Sequence, residues 1–219
     1  VAVIDSGAHV PHPHLPGVAG GVAFDLEGRE SDAWQDRLGH GTAAAAAIHE
    51  KAPTAALHVV KVFDAELATT VAILVRAIDW ASERAIRLIN LSLGTPNDFR
   101  EAELAPAVER AVDRGCLIIS AQEFDGRLWY PGSMAGAVGV VQDEAHPRHG
   151  VSVVDLDSGP ALRASPYPRP VPGVPRERNL NGISFAVANT TGVLAARLVD
   201  RPDVSTSAQV IELMRATPG

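Results

Sequence analysis

Three short clusters carry side chains suited to acyl transfer: Asp5 at the end of the apolar run Val1-Ala2-Val3-Ile4, His40 inside Gly39-His40-Gly41-Thr42, and Ser184 just after the turn Asn181-Gly182. A serine hydroxyl is a poor nucleophile at neutral pH, so it needs a base within hydrogen-bond reach and a third group that orients the base. A histidine titrates near neutrality and is suited to take the serine proton and return it to a leaving amine. A carboxylate on the other ring nitrogen fixes the tautomer and stabilises the imidazolium. Each residue alone has a plainer reading: Asp5 as a turn former, His40 as a helix cap, and Ser184 as an N-cap, for which serine is a preferred residue.

These residues need elements to position them. Pro168, Pro170, Pro172 and Pro175 exclude regular structure ahead of Ser184, and Asn181-Gly182 is a strong turn signal. Phe185, Ala186, Ala188, Val193, Leu194, Ala195 and Leu198 after it predict a helix buried all round rather than amphipathic. The start of such a helix has unsatisfied N–H groups and a positive dipole end, which favour negative charge developing nearby. Asp5 closes a short buried strand over residues 1–5, and a second strand is expected over 17–24. Thr42 to Lys51, with five consecutive alanines, predicts a helix that a neighbouring layer can approach closely. Gly39-His40-Gly41 has neither the lysine nor the spacing of a phosphate loop.

Further along, strands are expected over 57–63, 87–93, 117–121 and 137–141. Helices are expected from Val71 to Ala85 and from Arg100 to Arg114, the latter ending on a Gly115 cap. Apolar strands alternating with helices predict a mostly parallel sheet covered on both faces, with functional residues at the carboxyl ends of strands. Asp143 to Leu180 holds seven prolines and one strand pair around Val151 to Leu156, and a helix over 205–216 closes the chain.

The chain has 219 residues, 46% hydrophobic and 21% charged, a globular composition long enough for one substantial core. One domain over residues 1–219 is expected. Lys+Arg of 19 against Asp+Glu of 26 gives a net charge of -7 with the basic residues scattered, which favours neither nucleic acid nor an anionic membrane surface. A stretch of 18 apolar residues is lacking, so no membrane span is expected. Cys116, the single cysteine, lies in the apolar run Cys116-Leu117-Ile118-Ile119 and reads as a buried structural thiol. His9, His12 and His14 fall within six residues, but intervening prolines hold that stretch extended beside no carboxylate cluster, so neither a metal nor a cofactor is expected.

Asp, His and Ser in that chain order follow the subtilisin version of the serine triad. Here the sequence resembles the subtilisin-like serine proteases, the subtilases. The family's Asp-Ser/Thr-Gly matches Asp5-Ser6-Gly7, its His-Gly-Thr matches His40-Gly41-Thr42, its Asn-Leu/Met-Ser-Leu-Gly matches Asn90-Leu91-Ser92-Leu93-Gly94, and its serine block matches Gly182-Ile183-Ser184. The resemblance implies an α/β three-layer sandwich and a catalytic triad of Asp5, His40 and Ser184. It also implies a peptide or protein substrate laid as an added strand along Ser92, Leu93 and Gly94, with Ala121 and Gln122 lining the pocket for the side chain before the scissile bond. Many family members carry a signal and an inhibitory pro-segment upstream, later removed. A separate or removed pro-segment is therefore an expectation, and the compartment is left open.

The sequence departs from the family at the oxyanion site. The family supplies an asparagine donor from Ala-Ala-Gly-Asn, where this chain reads Ala121-Gln122-Glu123-Phe124. Counting without gaps puts Phe124 at the asparagine, and a shift of one puts Glu123 there. Gln122 would serve if the loop is rearranged, and a protonated Glu123 would donate. The family's threonine before the serine is Ile183, and its proline four residues after is Ala188. The expectation is a serine endopeptidase acting through a Ser184 acyl-enzyme, slowly and on a restricted peptide, as in peptide maturation. The alternatives are a pseudoprotease serving as a peptide-binding or scaffolding domain, and a ligase or cyclase that passes the acyl group to an amine.

Overall fold

The computed structural model describes residues 1–217. Its strands are β1 (Ala2–Asp5), β2 (Gly20–Phe24), β3 (Glu30–Ser31), β4 (His58–Lys61), β5 (Leu88–Leu91), β6 (Leu117–Ala121), β7 (Glu123–Phe124), β8 (Arg127–Leu128), β9 (Val138–Gln142), β10 (Val151–Leu156) and β11 (Gly159–Ala164). The helices are α1 (His40–Lys51), α2 (Val71–Glu83), α3 (Glu101–Asp113), α4 (Ile183–Arg197) and α5 (Ser207–Ala216). Nine strands form one sheet in the order β10-β11-β9-β6-β5-β1-β4-β2-β3. Its central pairs are parallel, while β2–β3 and β10–β11 at the two ends are antiparallel. The expected α/β three-layer architecture is the one observed.

Alternation along the strands assigns the two faces. Ala2 and Ile4 of β1 and Ile118 of β6 pack with α2 and α3. Val3 packs instead with the alanines of α1, and Leu117 and Ile119 pack with α4 and α5. Because both faces are covered, the central strands are buried and mostly apolar, with Asp5, Lys61, Asn90 and Ser120 as buried polar exceptions. α1 and α4 lie together on one face, with Ala44, Ala45 and Ala47 fully buried. α4 is buried from Phe185 to Ala195, and that is why its sequence lacks an amphipathic stripe. Gly115 follows α3 with φ of 76° and closes the helix as a left-handed residue should.

β1, β5 and β6 are adjacent and parallel, so Asp5, Ser92 and Ala121 leave the sheet along one edge. Groups carried just past the strand ends therefore gather at the carboxyl edge of the sheet.

Candidate active site

His40 is the first residue of α1, and its Nδ1 lies 2.8 Å and 3.0 Å from the two Asp5 carboxylate oxygens. Asp5 is fully buried, and its Oδ1 also accepts the Ser6 N–H at 2.7 Å. Gly41 makes the approach of α1 to β1 possible. A Cβ there would stand 2.3 Å from the Gly7 carbonyl and 3.2 Å from the Asp5 Cβ, so any side chain would push His40 away from its carboxylate.

Burial lowers the His40 pKa, but the hydrogen bond and charge of Asp5, with the more distant charge of Asp36, outweigh it and hold the imidazole above its ordinary value. The ring also faces Phe185, with centroids 5.1 Å apart.

Asp36, absent from the sequence-based candidates, fixes the turn that presents His40. Its Oδ1 accepts the Ser6 hydroxyl and the Leu38 and Gly39 N–H groups, each at 2.9 Å. Its Oδ2 accepts the Thr42 N–H at 2.9 Å and the Thr42 hydroxyl at 2.6 Å. Burial alone would push this carboxyl up, yet these donors hold it below its ordinary value. The Ser6 hydroxyl in turn accepts the Gly41 N–H at 2.9 Å, tying the residue after Asp5 to the residue after His40.

Ser184 is the second residue of α4. The N-cap is Gly182, at φ 138°, and no side chain caps this end, which removes the plain N-cap reading of Ser184. Its hydroxyl donates instead to the Ser92 carbonyl at 3.0 Å. Behind it, Asn90 Nδ2 donates to the Ser92 hydroxyl at 2.8 Å, and the Thr191 hydroxyl donates to Asn90 Oδ1 at 3.0 Å. These buried bonds lock β5 to α4, so Asn90 and Thr191 position Ser184 although neither was singled out from sequence for that role.

A cleft of about 250 Å³ gathers His40, Ser92, Leu93, Gly94, Ala121 and Ser184 in one place. Phe124 and Trp129 wall it, with ring centroids 6.0 Å apart, and the Trp129 indole N–H donates to the Phe124 carbonyl at 3.3 Å.

The other oxyanion candidates lie elsewhere. Gln122 is buried with its amide turned away, donating to the Ser158 hydroxyl at 3.1 Å and the Gly159 carbonyl at 3.2 Å. That corrects the expectation that Gln122 reaches the site, because β9 and the β10–β11 turn claim its side chain. Glu123 lines a separate open basin with Asp125 and Arg163, and its carboxylate accepts from Ser158 at 3.4 Å. Among the three, Phe124 alone lines the cleft of Ser184. It does so because residues 123–128 form a tight hairpin, β7–β8, whose Asp125-Gly126 turn takes positive φ at both positions.

Cys116 is fully buried, and burial pushes its thiol up, as a structural thiol requires. Among the described residues, no three His, Cys, Asp or Glu side chains converge to hold a metal ion.

A histidine held by a buried carboxylate thus opens on the same cleft as a helix-borne serine, at the carboxyl edge of a parallel sheet. The Subtilase family profile matches residues 1–123. Subtilisin Savinase of Lederbergia lenta is 33% identical over 223 residues, covering 94% of this chain and 78% of that protein. M-protease of Shouchella clausii is 33% identical over 211 residues, covering 89% of this chain, and the chain spans about half (52%) of that protein's length. Two solved structures share the fold. A cold-adapted subtilisin-like serine proteinase superposes with a TM-score of 0.73 at 20% identity, covering 98% of this chain and 80% of that one. The prenylagaramide maturation protease PagA superposes with a TM-score of 0.71 at 24% identity, covering 97% and 81%. The chain belongs to the subtilase family, a family of serine proteases.

Proposed function

We propose that this chain is the catalytic domain of a serine endopeptidase that cleaves a narrow set of peptides through a Ser184 acyl-enzyme. The observation that carries the reading is His40, held by both Asp5 oxygens while its ring opens on the cleft of Ser184. In the reaction the Ser184 hydroxyl leaves the Ser92 carbonyl and gives its proton to His40 Nε2 as Oγ bonds to the scissile carbonyl carbon. The imidazolium, stabilised by Asp5, then protonates the leaving amine as the C–N bond breaks. Water, deprotonated by the same nitrogen, hydrolyses the ester and restores the serine.

The negative charge on the former carbonyl oxygen finds the Ser184 N–H, which belongs to the first turn of α4 where backbone donors have no helical acceptor. The Phe124 side chain offers no donor, and a missing oxyanion donor typically costs roughly 10²- to 10³-fold in turnover. A slow enzyme with an aromatic-walled cleft fits a maturation step on one precursor better than general digestion.

The test is labelling with a fluorophosphonate probe read by peptide mass. Attachment at Ser184 that disappears in His40→Ala supports the reading, and absence of label on folded protein overturns it. A second reading, a peptide-binding domain without turnover, draws support from Phe124 in the cleft and from the Gln122 amide bonded to Ser158 and Gly159. It predicts peptide binding with no labelling.

A further inference from the structure

A second cleft, of about 380 Å³, is lined by residues next in sequence to those of the first. The chain itself links the two. Gly39 lines this cleft while His40 lines the first, and Asn179 and Leu180 line it while Ile183 and Ser184 line the first. Its apolar lining is Ala43 and Ala46 of α1 with the exposed Val171 and Leu180. Its rim carries His9, His12, His14, Arg37 and Arg169.

This rim is basic in a chain of net charge -7. The carboxylate that also lines it, Asp36, is occupied by five donors from its own turn. Arg37 meets Asp64 only at 3.5 Å with both side chains largely exposed, a contact of little strength. Arg169 lies 3.9 Å from Glu50, a carboxylate that Lys51 and Arg148 also claim, so three cations face one anion. His12 Nδ1 accepts the His14 N–H at 3.2 Å, which leaves its Nε2 as the hydrogen-bearing nitrogen. Arg169 Nη1 also reaches the His14 carbonyl, at 3.5 Å. Cationic side chains with only long, weak partners beside an apolar lining recognise carboxylates carried on an extended peptide.

We propose that this cleft binds the part of a peptide substrate that follows the scissile bond, and that it selects acidic side chains there. The placement rests on the serine-peptidase reading: the acyl part of the substrate lies along Ser92 to Gly94, so the departing part leaves across Gly39 and Leu180 into this cleft. Charge complementarity supplies the selection, and it also draws an acidic segment toward a molecule whose average charge would repel it.

The test uses the Ser184→Ala protein and two fluorescein-labelled heptapeptides, Ala-Leu-Ala-Glu-Leu-Asp-Glu and Ala-Leu-Ala-Gln-Leu-Asn-Gln, with binding read by fluorescence anisotropy at low salt. The acidic peptide is expected to bind about tenfold tighter, the size of one charge-assisted hydrogen bond. Arg37→Gln combined with Arg169→Gln should abolish the preference, Arg37→Gln alone should reduce it, and Arg215→Gln on α5 should leave it intact. Thermal melting confirms that each variant is folded. Equal affinities, binding of neither peptide, or a preference that survives the double substitution overturns the assignment. Fluorophosphonate labelling of the unmodified chain separates the two readings: label on Ser184 without acid preference removes only the cleft, and acid preference without label removes only the peptidase.

Discussion

The Ser184 hydroxyl donates to the Ser92 carbonyl at 3.0 Å, so it is held on the segment that leaves β5 rather than on His40. Among the described residues no hydrogen bond joins His40 to Ser184, although both line one cleft. Catalytic hydrogen bonds of this kind tighten when substrate is bound. On the proposed mechanism the two residues act as a unit, so their losses should not add. Ser184→Ala and His40→Ala are each expected to lower kcat/KM at least about 10³-fold, with the double variant no worse than the single ones. Multiplicative losses, measured on a quenched peptide substrate, would mean that the two side chains do not work on one proton.

The pH profile follows from the same pair. His40 must be neutral to accept the serine proton, and Asp5 holds its pKa above the ordinary 6.5. Activity should therefore rise with pH through an apparent pKa above 6.5. Asp5→Asn removes the charge and leaves burial, so the acid limb should move down while kcat falls roughly 10⁴-fold. The linked stability has the opposite sense: a raised folded-state pKa stabilises the fold below the unfolded value and fades as pH rises through the folded one. An acid limb that stays in place in Asp5→Asn would assign it to a different group.

Because Phe124 lines the cleft of Ser184 and Glu123 lines the outer basin, the two positions should respond differently to an introduced amide. Glu123→Asn acts in the outer basin and should leave turnover unchanged. Phe124→Asn places an amide donor in the cleft of Ser184, and a gain in kcat of about tenfold or more is expected, against the 10²- to 10³-fold that a formed donor supplies. A gain from Glu123→Asn instead would put the oxyanion on the other side of the β7–β8 hairpin.

That hairpin marks the boundary of what could be read from sequence. The grouping of Asp5, His40 and Ser184 was legible because each sits in a block with a neighbouring glycine, and strands over 88–91 and 117–121 because their apolar runs are interrupted only by Asn90 and Ser120. Gap-free counting aligned Phe124 with a lost donor but gave no direction for Gln122, whose side chain is claimed by Ser158 and Gly159 from 36 and 37 residues away. Asp125-Gly126 did carry a hairpin signal, masked by strands of two residues each. Asp36 was hidden among Asp25, Glu27, Glu30 and Asp32, since nothing local distinguishes the one carboxylate that turns inward.

Specificity should be set by the wall opposite Ser184. The Trp129 ring lies against Gly94, where an added methyl would come within 3.4 Å of Cε3, and with Phe124 it narrows the cleft. Small side chains before the scissile bond should be preferred. Trp129→Ala should raise the kcat/KM ratio for a phenylalanine over an alanine at that position by about 10- to 100-fold, the range that apolar pocket volume commands. An unchanged ratio in a folded variant would show that the side chain before the bond lies outside this cleft.

Asp36 offers the last test, of whether His40 is positioned by its turn or by Asp5 alone. Asp36→Ala strands the Ser6 and Thr42 hydroxyls and three backbone N–H groups at the start of α1. A loss of about 3 kcal/mol in urea unfolding is expected, since unsatisfied buried donors cost about 1–3 kcal/mol each and part of this turn reaches water. The depressed carboxyl pKa stabilises the fold above the unfolded value, and that contribution disappears as pH falls through the folded value. The wild type should therefore lose this stabilisation on acidification, and the variant should have none to lose. Because the same turn carries His40, kcat should fall while KM changes little, as expected when an interaction serves the transition state rather than binding. A variant destabilised as described yet undiminished in kcat would leave Asp5 as the sole orienting group.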